Sequence, residues 1–291
     1  MGKYGVSDTS KMQYITTYIN LINKSGSENM DEIFKYIKTA PVKDNTKFSY
    51  LNAIISLKNI RPDLVKDDIK KLVEYRNRLQ IEIEKQKEKN NANSKQTEVM
   101  TKVNLKKLHD LADELYTYRD SSVKALEDYL LVRLMVQYPL RNDLQEIKIT
   151  KDKSDLNKPI NCIYIPKTTT KAILSIPEYK TSKSHGAIVI ELDQDLTKDI
   201  KKLIEDGREY LFVTNMGEPY TSSNFTHRLN RVFEKHLNEK LSSTLIRKIY
   251  LTGKYGETLK DMKNDAQLLG HNLETQQSTY ISNNKKILKR Q

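Results

Sequence analysis

Apolar side chains recur at helical spacing through the first ninety residues. Residues 12–22 (MQYITTYINLI) carry such a stripe, and Ser7, Asp8 and Ser10 ahead of them are natural helix caps. Ser25-Gly26-Ser27 ends that element, and residues 30–37 (MDEIFKYI) start a second. After Pro41 the pattern returns over residues 47–57, with Tyr50, Leu51, Ile54 and Leu57 on one face. Arg61-Pro62-Asp63 introduces a longer helix from about residue 64 to 88, charged on most faces. The stretch 82–101 (EIEKQKEKNNANSKQTEVMT) has almost no apolar content after Ile83, so burial there cannot offset the entropy of ordering. The pattern thus predicts a helical domain over 1–88, a linker over 89–103 and a second domain over 104–291.

The second domain opens with a helix over 104–116 and a strongly apolar one over 123–138, stopped by Pro139. Three short β-prone runs follow at 160–165 (INCIYI), 172–176 (AILSI) and 187–192 (AIVIEL). A charged helix over 196–204, an apolar run at 210–213 and a helix over 225–241 come next. Ser242 or Ser243 caps a helix with Leu245, Ile246 and Ile249 on its apolar side. A further helix runs over 256–269, and Gly270 suits its left-handed C-cap. The expected fold is mainly α with a small antiparallel β-sheet, an α+β protein.

Composition narrows the class. The 291 residues carry 50 Lys and Arg against 38 Asp and Glu, a net charge of +12 that favours a polyanionic partner such as nucleic acid. Frequent Lys and Asn also follow from AT-rich coding, so charge alone does not decide. The one cysteine, Cys162, excludes an intrachain disulfide framework and fits a reducing compartment. No apolar run reaches membrane-spanning length. The first ten residues lack a secretory core, and Val6 stands where myristoylation wants Ser or Thr. His227 and His236, nine apart, make no metal pair, so neither a metal nor another cofactor is expected.

The candidate chemistry lies in separated boxes. Tyr138-Pro-Leu-Arg-Asn-Asp143 places Arg141 just past the apolar helix. Arg247 follows far downstream, then Leu269-Gly270-His271, then Tyr280 nine residues beyond the histidine. A guanidinium holds two phosphate oxygens at once. One charge about 4 Å from a phosphate is worth roughly 4 kcal/mol at an effective dielectric of about 20. A phenol, with a reference pKa of about 10, is a workable nucleophile. In order and spacing these boxes resemble the tyrosine recombinase (phage integrase) family.

The resemblance implies a site-specific recombinase that cleaves and rejoins DNA. Tyr280 would attack the scissile phosphate to form a 3′-phosphotyrosyl link. Arg141, Arg247, His271 and Thr244 would hold the phosphate. A lysine on a β-hairpin, Lys180 first and Lys183 second within 177–186 (PEYKTSKSHG), would protonate the departing 5′ oxygen. The first domain would be the core-DNA-binding module, with Lys47, Lys58 and Arg61 as phosphate candidates, and the second the catalytic domain. The partner would be double-stranded DNA, bound as a homo-tetramer on two sites, with a monomer or dimer off DNA. The basic tail 281–291 would dock on a neighbour or on phosphates. The enzyme would belong to a virus or mobile element and act inside a cell, wherever its DNA target lies: the cytoplasm of a bacterium, or the host cell or virus factory if viral. Two departures stand out: Thr244 occupies the usual histidine position three before Arg247, and Leu144 the usual acidic position three after Arg141. Asp143 or Glu146 is then left to orient the guanidinium. A type IB topoisomerase-like enzyme and a catalytically inactive DNA-binding relative are the alternatives.

Overall fold

The computed structural model of the chain describes residues 6–88, 94–168 and 171–280. The chain divides into two compact units, Met1–Asn93 and Ser94–Gln291. The architecture is α+β, with helices predominating and one four-stranded sheet.

In the first unit, helix α1 (Asp8–Ser25) starts where the Ser7 side chain accepts the Ser10 N–H, and it ends at Gly26, whose φ of 69° only glycine adopts cheaply. Helix α2 (Met30–Thr39) is capped by Asn29, which accepts the Asp31 and Glu32 N–H groups. Helices α3 (Asp44–Ile60) and α4 (Lys70–Glu88) complete the unit. Their apolar stripes meet in one core around Leu21, Ile33, Ile37, Leu51, Ile54 and Leu57.

Helix α4 begins six residues later than the periodicity suggests. Val65 is fully buried, and the Lys58 ammonium donates to the carbonyls of both Val65 and Lys66 at 2.9 Å, which holds this stretch outside a helix. Asp68 then accepts the Lys70 N–H. The three cations expected to meet phosphate all have partners within the chain. Lys58 is engaged as described, Arg61 pairs with Asp63 at 2.7 Å, and Lys47 donates to the Lys38 carbonyl at 2.9 Å.

The second unit begins with helix α5 (Ser94–Lys102), which falls inside the stretch read as a linker. Val99 and Val103, four apart, supply the apolar stripe that periodicity alone passed over, and both are buried in the second core. Helix α6 (Leu105–Tyr118), capped by Asn104, leads to α7 (Val123–Gln137), which is buried on nearly every side.

The sheet order is β1-β2-β3-β4, with β1 Lys148–Thr150, β2 Cys162–Tyr164, β3 Ile173–Ile176 and β4 Ile188–Glu191. The last three strands pair antiparallel, as the pattern suggests. Strand β1 corrects the expectation of a wholly antiparallel sheet: it runs parallel to β2, with Ile149 opposite Ile163. The connection passes through a 3₁₀ turn at Lys153–Asn157, long enough to bring the chain back in the same direction. A one-turn helix, α8 (Ser182–His185), sits in the β3–β4 hairpin. Helices α9 (Gln194–Leu203), α10 (Ser222–Leu237) and α11 (Ser243–Leu268) follow, then the short α12 (Leu273–Thr275).

Charge is also buried here. Glu127 and Asp128 on α7 face Arg228 of α10, which pairs with Asp128 and lies 3.6 Å from Glu127. Arg208 reaches Glu127 at 3.2 Å, and Lys124 stands 3.7 Å from each carboxylate. Burial, with the neighbouring Arg228 charge second, pushes the Lys124 amine below its ordinary pKa.

Helix α11 replaces two expected helices. It runs unbroken for 26 residues through Gly253 and Gly256. Gly253 lies against the start of α6, where an added Cβ would come within 2.6 Å of Leu105 Cβ. Gly256 has only an ordinary contact, 3.6 Å to Thr252 Cγ2. The two glycines therefore predict opposite outcomes. Gly256→Ala should stabilise by about 0.5–1 kcal/mol through helix propensity. Gly253→Ala should lose that gain to overpacking worth about 1–3 kcal/mol. Urea unfolding midpoints of the two variants check the sign.

Candidate active site

The site is assembled where α7 ends. The Tyr138 N–H closes the last turn on the Leu134 carbonyl, Pro139 forbids continuation, and Arg141 takes an extended conformation. A 3₁₀ turn, Asn142–Glu146, follows, anchored by fully buried Leu144. That burial explains why no acid occupies position 144, since the side chain points into the core.

Asp143 takes the neighbouring place. Its carboxylate accepts the Arg141 N–H at 3.2 Å. Burial raises its pKa; the Arg141 N–H and the positive charges of Arg141 and Arg247 oppose the rise. Of the two acids left to orient Arg141, Asp143 is half-buried and accepts its N–H, whereas Glu146 is exposed.

Asn142 ties three elements together. Its amide donates to the Ser222 carbonyl (3.1 Å), Ser222 Oγ (3.0 Å) and Thr226 Oγ1 (2.8 Å) at the start of α10. Its carbonyl oxygen accepts the Ser243 hydroxyl at 2.8 Å, at the start of α11. Ser242 caps α11 by accepting the Leu245 N–H, which fixes the first turn. Thr244 on that turn is exposed and lines the same cavity, of about 360 Å³, as Arg141 and Asp143. Arg247, one turn further on, is half-buried. Lys248 points away, donating to Gln96 of α5 at 3.2 Å.

The cavity rim also carries Glu146, Asn161 and Glu178, so its field is mixed in sign. Asn161 grips the backbone of Glu178 with both ends of its amide, accepting the N–H at 3.0 Å and donating to the carbonyl at 2.8 Å. This holds the β3–β4 hairpin against the cavity two residues before Lys180. Lys180 is exposed in a turn and Lys183 lies on α8. Neither lines the cavity.

His271 is placed elsewhere. Gly270, at φ 73°, donates to the Gln267 carbonyl, and the His271 N–H donates to the Ala266 carbonyl at 3.0 Å. This is a Schellman close on the far end of α11. The rise of an α-helix over the 21 residues from Arg247 to Leu268 is about 30 Å. The structure thus brings Arg141 and Thr244 to one cavity, with Arg247 one turn beyond Thr244, and leaves His271 at the far end of α11. Tyr280 ends a π turn, Gln276–Tyr280, beyond α12; its side chain lies outside the described residues, as does the basic tail 281–291. The helical residues Leu273–Tyr280 span about 12 Å, well short of that gap.

The sequence reading gave Asn142 and Asn161 no role and Ser243 only that of a cap candidate. No local pattern marks a side-chain amide that bridges distant elements. Among the described residues no group of three or more His, Cys, Asp and Glu is arranged to hold a metal, and no helix is long and apolar enough to cross a membrane.

No protein-family model and no curated protein matches the chain. Among solved structures, the crystal structure of XerA recombinase is similar over 98% of this chain and 91% of its own, at 14% sequence identity and a TM-score of 0.34.

Proposed function

We propose that the chain is a site-specific recombinase of the tyrosine type, cleaving and rejoining double-stranded DNA. One observation supports the reading: Arg141 and Thr244, more than a hundred residues apart, line one cavity, with half-buried Arg247 one helical turn beyond Thr244. Two guanidinium groups so placed are suited to a phosphate whose charge grows in the transition state. The box order and the net charge of +12 support the same partner.

In this mechanism the Tyr280 oxygen bonds to phosphorus and the bond from phosphorus to the 5′ oxygen breaks. Lys180, or Lys183, gives its proton to that oxygen. The phenol proton passes to water, because the Thr244 hydroxyl is no base near neutral pH. The phosphotyrosyl bond keeps the energy of the broken ester, so a 5′ hydroxyl can attack it and reseal the strand. The first unit serves as the DNA-clasping module, and a tetramer on two sites is the working assembly.

The experiment is incubation with pooled duplex oligonucleotides nicked beside each possible cut, so that the freed strand diffuses away and the covalent adduct accumulates. A crosslink mapped to Tyr280 is the expected result. DNA affinity should also fall steeply with salt, by about 10³-fold between roughly 50 and 200 mM for some six phosphate contacts. A flat salt response in a gel-shift titration overturns the DNA reading. A second reading, an inactive DNA-binding relative, is favoured by Thr244 and by the distance of His271 from the arginines. It predicts the salt dependence without any covalent adduct.

A further inference from the structure

We propose that the chain carries a second anion site, for a nucleoside polyphosphate, at the end of the sheet away from the Arg141 cavity. The inference goes beyond the recombinase reading and does not depend on it.

Strand direction assembles the site. Strand β1 runs parallel to β2, so the residues that follow the two strands leave the sheet at the same end. Strand β3 starts at that end and β4 finishes there, because both of their pairings are antiparallel. Four segments therefore meet: 151–153 after β1, 166–168 after β2, Lys171 before β3, and 191–194 at the close of β4. They line a cavity of about 720 Å³. Asn161 and Glu178, which line the Arg141 cavity, lie at the opposite ends of β2 and β3.

The lining has two chemically different parts. Tyr164 and Ile173 are cross-strand partners, and with Pro166 they make an apolar floor. Tyr164 is half-buried, and its ring meets no other aromatic ring among the described residues, which leaves it available to stack on a nucleobase. The rim sets Lys151, Lys153, Lys167 and Lys171 against one carboxylate, Glu191. Lys171 pairs with Glu191 at 2.8 Å, so those two charges cancel. The other three lysines are exposed and pair with no carboxylate among the described residues. The nearest acids in sequence are engaged: Asp152 accepts the Ser154 N–H at 2.9 Å, and Asp155 holds Lys158 at 2.6 Å. Lys47, Lys58 and Arg61 of the first unit, by contrast, all have partners within the chain. Lys201 of α9 donates to the Thr168 carbonyl at 2.6 Å, which ties the Lys167 segment to that helix.

Three uncompensated ammonium groups around one concave space repel one another, and a polyphosphate relieves that repulsion. The cavity volume falls in the range that holds a small organic ligand, about 300–1,000 Å³. A base on the Tyr164 floor and phosphates at the lysine rim use both parts of the lining at once.

ATP is the probe, titrated calorimetrically into the whole chain with EDTA present, so that no metal carries the phosphates. The salt is about 150 mM, where long-range attraction is screened. ATP should bind one to one and about tenfold tighter than inorganic tripolyphosphate, the difference being the stacked base. Lys151→Gln combined with Lys167→Gln should weaken ATP by about tenfold, whereas Lys235→Gln, at an exposed lysine of α10, should leave it unchanged. Tyr164→Leu should bring ATP down to the level of tripolyphosphate, and Tyr164→Phe should keep native affinity, which separates lost stacking from lost fold. The proposal is overturned if the double lysine variant binds ATP as the native chain does, or if tripolyphosphate binds as tightly as ATP. It is overturned equally if a single-stranded oligonucleotide needs Lys151 and Lys167 while ATP does not bind, since the cavity is then a strand contact. Failure to capture nicked DNA would leave this result standing, because no DNA cleavage enters the titration.

Discussion

Arg141→Ala is expected to slow covalent capture of nicked DNA by about 10²–10³-fold, the usual cost of removing one preorganised donor from a developing oxyanion. Arg141 lines the cavity, and Asp143 accepts its backbone N–H at 3.2 Å, which fixes the backbone from which the side chain projects. Arg141→Lys should recover only part of the loss, because an ammonium cannot hold two oxygens in one plane. Single-turnover capture rates make the measurement. DNA affinity in a gel shift should change little by comparison, since one contact among many is removed. A loss below threefold in capture would show that Arg141 does not face the reacting phosphate.

Arg228→Ala should produce the largest loss of stability, about 3–5 kcal/mol, read from the urea midpoint. Arg228 is buried between α10 and α7, and its removal leaves Asp128 facing only the Lys124 ammonium, at 3.7 Å, among the described cations. Glu127 retains Arg208 at 3.2 Å, so Asp128 bears most of the cost. Replacing Arg228 and Asp128 together with methionine and leucine should cost much less, because no uncompensated charge then remains inside. An Arg228→Ala protein within about 1 kcal/mol of native would mean that water reaches Asp128.

Most helices were legible because caps and apolar spacing agree: Ser7, Asn29, Asn104 and Ser122 each cap the element that follows. The failures have physical reasons. Strand β1 is three residues long with one strongly apolar member, Ile149, so it carries no alternation to detect. The start of α4 is set by the Lys58 ammonium, a tertiary contact, and α5 by two valines in a polar run. At the site, the order of boxes led to Arg141 and Thr244, which line one cavity, and to Arg247, one turn beyond Thr244 on α11. The remoteness of His271 was hidden because glycine usually reads as a break. Only the approach of Leu105 shows why Gly253 sits inside a helix.

Positions 144 and 244 differ in how freely they accept another side chain. Leu144 is sealed in the core, so restoring a carboxylate there would force a charge among apolar neighbours. Thr244 faces the open cavity, where an imidazole needs no repacking. Histidine at position 244 is therefore a single change the fold accommodates, whereas a carboxylate at 144 is not, and the acid beside it, half-buried Asp143, already accepts the Arg141 backbone N–H.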